Sequence, residues 1–111
     1  MRKTTLKELL LEALEETGER PEELVCFWQE VDPEYGWVKD GAPIVQGGFD
    51  QIPDREFDAD FGGPRGDLLI AFGPKYVYVK FVYDGAESIK PVPRHPNPED
   101  WGTMIPYIDW P

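Results

Sequence analysis

Four carboxylates recur at every second position of the segment 54–60, a spacing that could serve binding chemistry. They are Asp54, Glu56, Asp58 and Asp60. On an extended strand, residues two apart point to the same side at a separation of about 6.8 Å. The acidic row then has three interpretations: a strand face exposed to water, a surface that imitates nucleic-acid phosphates and fits a basic groove, or a site for a hard cation.

The cation interpretation depends on the spacing of a calcium-binding loop. Glu56, Asp58 and Asp60 match loop positions 1, 3 and 5, and Asp67 matches position 12. Phe61, however, stands where that loop requires glycine, and the bidentate glutamate is missing. The sequence therefore predicts no metal centre, and nothing in it indicates a cofactor.

The side chains of nucleophilic catalysis are scarce, because Cys26 is the only cysteine and His95 the only histidine. Cys26 lies in an apolar segment, which is typical of a buried small hydrophobe and not of a reactive thiol. A single histidine without a nucleophile or a second ligand makes neither a catalytic nor a zinc site. The sequence predicts no catalytic residue and favours a protein that is not an enzyme.

Aromatic side chains are the second group of candidate binding residues. The segment 76–83 predicts a strand with Tyr76 and Tyr78 on one face, and both faces of this strand cannot be left open. We expect the helix to cover one face and the C-terminal segment the other, or part of one face to bind a partner. The candidate partner-binding aromatics are Tyr76, Tyr78, Trp101 and Trp110.

The elements that must position these residues predict one α+β domain over residues 1–111. Thr5 and Glu8 form a capping box before a helix that ends at Gly18. We expect the helix leucines, among them Leu10 and Leu14, to pack against the other face of the 76–83 strand, which carries Val77, Val79 and Phe81.

Strand-forming segments and turn residues supply the sheet. Residues 25–31 and 55–61 predict strands, and residues 67–90 predict a three-stranded antiparallel meander that turns at Asp84-Gly85. The stretch 41–48 has no clear assignment. The proline-rich, aromatic C-terminal tail is expected to lie extended across the sheet.

The charge is strongly negative and unevenly distributed. The net charge is −11, and residues 1–60 contain 16 acidic and 6 basic side chains. Such a field repels nucleic acids and anionic membranes but attracts basic protein surfaces. The expected partner is therefore a protein with a basic surface, although acidity can also serve solubility alone. A single cysteine and short apolar runs predict a cytoplasmic protein.

The order of the segments resembles that of small, acidic, uncharacterised proteins encoded by phages and prophages of Gram-positive bacteria. The resemblance spans roughly residues 6–93, whereas 41–48 and the tail 98–111 depart from it. It rests on four motifs: Gly18 to Glu23, the acidic strand Glu56 to Phe61, Gly66-Asp67-Leu68-Leu69-Ile70, and Tyr83-Asp84-Gly85-Ala86-Glu87.

This resemblance implies one helix on a small antiparallel sheet and no known activity. It also implies a setting, because short acidic phage proteins often neutralise host defences by occupying the basic nucleic-acid groove of a nuclease. The functional hypothesis is a non-catalytic interaction protein whose acidic surface occupies the basic groove of a nucleic-acid-binding defence nuclease, as an anti-CRISPR protein would. The alternatives are another phage or cellular protein-binding module, and, more remotely, a small cation-dependent enzyme.

Overall fold

The computed structural model describes residues 2–60 and 65–94. One helix, two short 3₁₀ turns and nine strands make up these ranges. In chain order they are β1 (Lys3–Thr4), α1 (Leu6–Thr17), a 3₁₀ turn (Pro21–Glu23), β2 (Val25–Gln29), β3 (Val31–Asp32), β4 (Trp37–Val38), β5 (Ile44–Gly47), a 3₁₀ turn (Phe49–Gln51), β6 (Phe57–Asp58), β7 (Leu68–Phe72), β8 (Tyr76–Tyr83) and β9 (Ala86–Pro93).

The main sheet is antiparallel and has five strands in the order β5-β2-β7-β8-β9. Its β8–β9 hairpin turns at Asp84 and Gly85, whose φ angles of 52° and 81° are both left-handed, as a tight two-residue hairpin turn requires. The predicted meander is therefore confirmed. Strand β9 continues to Pro93 because it lies at the edge of the sheet, where a missing proline N–H costs no ladder bond.

The helix begins and ends where the sequence predicts. The Thr5 hydroxyl accepts a hydrogen bond from the Glu8 backbone N–H at 3.2 Å, and Gly18 ends the helix in the left-handed conformation. One side of the helix is apolar, which lets it pack on the sheet. Its buried residues are Leu6, Leu9, Leu10, Ala13 and Leu14. The fold is thus α+β, with one helix packed on antiparallel strands.

The helix packs on the opposite face of β8 from the one predicted. Tyr78 is fully buried in the core with Leu10 and Leu14, whereas Val77 and Val79 alternate to the other face. The prediction failed because both faces of this strand are apolar in sequence. The polar end of Tyr78 distinguishes them, because the structure provides it with hydrogen-bond partners at the end of the helix.

Two other segments differ from the prediction. Strand β6 is limited to Phe57–Asp58, which pair with Lys3–Thr4 of β1, so residues 55–61 do not form one continuous strand. The unassigned stretch 41–48 contains β5, which pairs with β2 at one edge of the sheet. The predicted course of the C-terminal tail falls on residues 95–111 and lies outside the described residues.

Candidate protein-binding surfaces

The structure divides the predicted acidic row into two kinds of carboxylate. Asp54 pairs with the Lys7 ammonium at 3.2 Å. Asp58 accepts hydrogen bonds from the backbone N–H groups of Asp60 and Arg2, at 3.0 and 3.1 Å, and these bonds hold its pKa below the usual value. Glu56 and Asp60 are exposed and have no ion pair within the described ranges. Asp54 and Asp58 thus already have structural contacts.

Basic side chains of the first half are largely engaged in internal contacts. Lys39 and Arg55 both pair with Glu30 at 3.2 Å, and the Lys39 hydrogen bond is the main cause of the lowered Glu30 pKa. Arg20 pairs with two neighbouring glutamates. Because these cations are already paired, the excess negative charge lies on carboxylates that have no ion pair. Across the described part of the chain, the exposed carboxylates without an ion pair include Glu12, Glu15, Glu16, Glu34, Asp40, Asp50, Glu56 and Asp60.

The outward side of α1 carries a compact group of these free carboxylates. Glu12, Glu15 and Glu16 are exposed, and positions three and four apart on a helix are surface neighbours. These three glutamates are not among the site residues predicted from the sequence. The signal was present, however, because these glutamates alternate with the buried leucines at helical spacing. We call the surface of Glu12, Glu15 and Glu16 the acidic helix side.

The two candidate tyrosines of β8 lie on the helix-covered face. Tyr78 has 0% of its surface exposed and donates a hydrogen bond from its hydroxyl to Glu19 at 2.6 Å. Burial, and then the bond to Glu19, raise its pKa. Tyr76 is half-buried and packs against the core. Tyr78 is therefore a structural residue, which corrects its assignment to a partner-binding surface.

A buried ion pair on the same face was missed by the sequence analysis. The Lys80 ammonium lies 2.6 Å from the Glu87 carboxylate, and these side chains are 8% and 0% exposed. Glu87 also accepts a hydrogen bond from the backbone N–H of Arg65 at 2.8 Å, and Lys80 lies 5.0 Å from the centre of the Phe57 ring. Lys80 and Glu87 fall on core-facing positions of β8 and β9, and this placement was the available signal.

Two of the residues considered for metal binding and catalysis, Asp67 and Cys26, are buried in the fold. Asp67, at the last position of the calcium-loop pattern, is buried, accepts a hydrogen bond from the backbone N–H of Val31 and pairs with Arg55. Cys26 is buried, and desolvation raises its pKa to about 11, so the thiol stays protonated at neutral pH. Within residues 2–60 and 65–94, no three His, Cys, Asp or Glu side chains are grouped to hold a metal ion.

The face of the main sheet opposite the helix is apolar, and no other element of residues 2–60 and 65–94 covers it. A groove of about 580 Å³ crosses it, lined by Phe27, Ile44, Ile70, Phe72 and Val79 among others. Ile70 and Val25 are 46% and 44% exposed. This surface, which we call the open face, is the second candidate for binding.

Comparison with known proteins identifies no relative. No protein-family model, no curated protein and no solved structure matches this chain. The resemblance to phage-encoded proteins therefore remains a prediction. In the described part of the chain, no helix is long and apolar enough to cross a membrane.

Three residues weighed from the sequence lie outside the described residues. They are Trp101, Trp110 and His95.

Proposed function

We propose that this chain is a non-catalytic binding protein whose acidic helix side docks on a basic surface of another protein. The observation that carries this proposal is that most cations of the first half are paired internally, whereas a group of helix carboxylates is not. The basic residues of the first half other than Lys3 contact acidic partners or backbone carbonyls internally. Glu12, Glu15 and Glu16 stay exposed without an ion pair in the described ranges. The negative field therefore projects outward from the helix.

The geometry of the helix favours a partner with several clustered cations. Surface neighbours on a helix lie about 5–6 Å apart, so Glu12, Glu15 and Glu16 present adjacent negative charges from a rigid element. A nucleic-acid backbone also presents closely spaced negative charges. A nucleic-acid-binding groove in a host defence protein is the partner class we propose, with Glu56 and Asp60 contributing further charge.

Two features support binding over catalysis. The Cys26 thiol is buried and protonated, and the Asp67 carboxylate is held by Arg55 and Val31. Neither group is free to act as a nucleophile or a cation ligand. Acidity that serves only solubility is the alternative, and it differs experimentally because it does not depend on where the charges lie.

Site-specific charge reversal tests the proposal. The immobilised 111-residue chain captures partners from a bacterial lysate at low salt, and mass spectrometry identifies them. The purified partner is then titrated with each variant. We expect Glu12→Lys, Glu15→Lys and Glu16→Lys together to abolish binding. Binding of the unsubstituted protein should weaken as salt rises, because exposed charges are screened beyond about 8 Å at physiological ionic strength.

A matched control reverses the same amount of charge elsewhere. Glu34, Asp40 and Asp50 are exposed and have no ion pair in the described ranges, and their reversal to lysine changes the net charge equally. The proposal expects this control to retain most of the binding. Equal loss in both triple variants would indicate a charge effect without a defined site, and retention in both would remove the acidic helix side as the binding surface.

A second variant tests the part of the predicted row that remains free. Glu56→Lys with Asp60→Lys should weaken binding without disturbing the fold, since both side chains are exposed. Asp58 is left unchanged because its carboxylate holds two backbone N–H groups. Unchanged affinity for this pair would restrict the proposed surface to the helix.

A further inference from the structure

The open face contrasts in charge with the rest of the protein. Strand alternation and register assign it apolar residues from β2, β7 and β8, with Phe27, Ile70 and Val79 side by side on neighbouring strands. No acidic residue of the five strands falls on this face, and Lys90 of β9, paired with Val79, is its charged residue. A surface of this kind in a protein with net charge −11 calls for an apolar cover.

We infer that the C-terminal segment 95–111 of the same chain docks on the open face. The point at which this segment leaves the sheet supports the inference. The backbone N–H of Arg94 donates a hydrogen bond to the Lys75 carbonyl at 2.9 Å, and its guanidinium donates one to the Gly73 carbonyl at 2.7 Å. These bonds fix Arg94 beside the turn between β7 and β8, which directly follows Phe72 of the open face in the chain.

The length of the segment is sufficient for this position. Five strands are about 19 Å across, at roughly 4.8 Å between neighbours. The segment contains the 17 residues from His95 to Pro111. An extended chain reaches about 3.3 Å per residue, so even a strongly bent path could cross the sheet.

The composition of the segment fits the open face and not the acidic helix side. Its large apolar and aromatic side chains could fill the groove. Its acidic residues are Glu99, Asp100 and Asp109, which the glutamates of the helix would repel and which Lys90 would attract. The apolar set is Trp101, Met104, Ile105, Tyr107, Ile108 and Trp110.

A second copy of the chain is the competing occupant. Covalent attachment favours the segment, because a short tether gives an effective concentration in the millimolar range at any protein concentration. Docking of the segment also leaves the acidic helix side free. The inference does not depend on the proposed function, since it concerns the opposite side of the protein.

Paramagnetic broadening of NMR signals in the 111-residue chain tests the inference. A nitroxide is attached to a cysteine introduced by Asp109→Cys, while buried Cys26 remains unlabelled. We expect the methyl signals of Ile70 and Val79 to broaden more strongly than those of Leu10 and Leu14. A nitroxide attached through Glu16→Cys, on the helix, should give the reverse pattern.

Mixing identifies the occupant. Spin-labelled protein without isotopes is combined with isotope-labelled protein that carries no nitroxide. Broadening of Ile70 and Val79 only in this mixed sample would overturn the inference in favour of a second copy. Absent or uniform broadening in the singly labelled protein would show that the segment does not dock on the open face.

A substitution on the face gives a second test. Ile70→Glu places a carboxylate in the groove and should abolish the broadening of Val79 by the nitroxide at position 109. Leu11→Glu is the matched control, because Leu11 is 43% exposed, a fraction similar to the 46% of Ile70, but lies on the helix. Equal broadening of Val79 in both variants would contradict docking on the open face.

Discussion

The two faces of the main sheet are both rich in apolar residues, yet they are specified differently. The helix-covered face combines small and large apolar side chains with polar ones that find partners, such as Tyr78 with Glu19 and Lys80 with Glu87. The open face carries Phe27, Ile70 and Val79 and has no ion pair among the described residues. Its Gln29 side chain donates a hydrogen bond to the Ala42 carbonyl.

The difference concerns specificity. Apolar contacts alone would let the helix pack on either face of β8, since both present large hydrophobic side chains. A buried Tyr78 or Glu87 without its partner would cost free energy, so the polar groups restrict the helix to one face. The open face lacks such a restriction and can accept a less specific apolar cover.

The largest loss of stability is expected when the polar contacts of the helix-covered face are removed. Lys80→Met leaves the fully buried Glu87 carboxylate without its cation, and we expect a loss of about 3–5 kcal/mol in the free energy of unfolding. Chemical denaturation at neutral pH measures this loss. The double variant Lys80→Met with Glu87→Gln should recover part of it, because no buried charge is then left unpaired; no recovery would indicate that packing of the Lys80 stem dominates.

Truncating one apolar side chain on each face compares how much packing contributes to stability there. Leu14→Ala removes a buried side chain beneath the helix and should cost about 2–5 kcal/mol through lost transfer energy and a cavity. Ile70→Ala, at a 46% exposed position of the open face, should cost clearly less. The two denaturation midpoints provide the measurement. Equal costs would mean that the open face is covered as tightly as the helix-covered one.

The sequence predicts most elements but not the choice of face. Thr5, Gly18 and the Asp84-Gly85 turn are local signals, so the helix and the meander follow from neighbouring residues. The partners of Tyr78 are Thr17 and Glu19, about sixty positions away, and no local pattern reports them. Strand β5 was also missed, because it is defined by its pairing with β2.

The candidate site was predicted in part for the same reason. Alternation in the segment 54–60 identified exposed Glu56 and Asp60, but not that Asp54 pairs with Lys7 or that Asp58 binds backbone N–H groups. The free glutamates of the helix were visible as a charged surface. What distinguishes Glu12, Glu15 and Glu16 is that they have no ion pair in the described ranges, which depends on the fold.

Removal of one hydroxyl tests whether polar contacts fix the helix on its face. Tyr78→Phe deletes a buried hydrogen bond to the Glu19 carboxylate and a 2.8 Å contact with the Thr17 hydroxyl. We expect a loss of about 1–3 kcal/mol, typical of hydrogen bonds to charged groups. Tyr76→Phe is the control on the same strand face. If both variants have the same stability, the Tyr78 hydroxyl does not select the face.

The smallest effect concerns Asp58 of β6, a structural carboxylate whose neighbours two positions away, Glu56 and Asp60, are exposed. The Asp58 pKa is lowered by the N–H groups of Asp60 and Arg2, so folding favours the ionised form. The stabilisation that ionised Asp58 provides is present above the ordinary pKa of 3.8 and is lost as the pH falls through the lowered value.

Asp58→Asn should therefore lower the melting temperature slightly at pH 7, and the difference from the unsubstituted protein should vanish in strong acid. Glu56→Gln, at an exposed side chain without an ion pair in the described ranges, is the control variant. Melting curves across this acid range decide the matter: parallel behaviour of the two variants would mean that Asp58 is as free as Glu56 and belongs with the binding carboxylates.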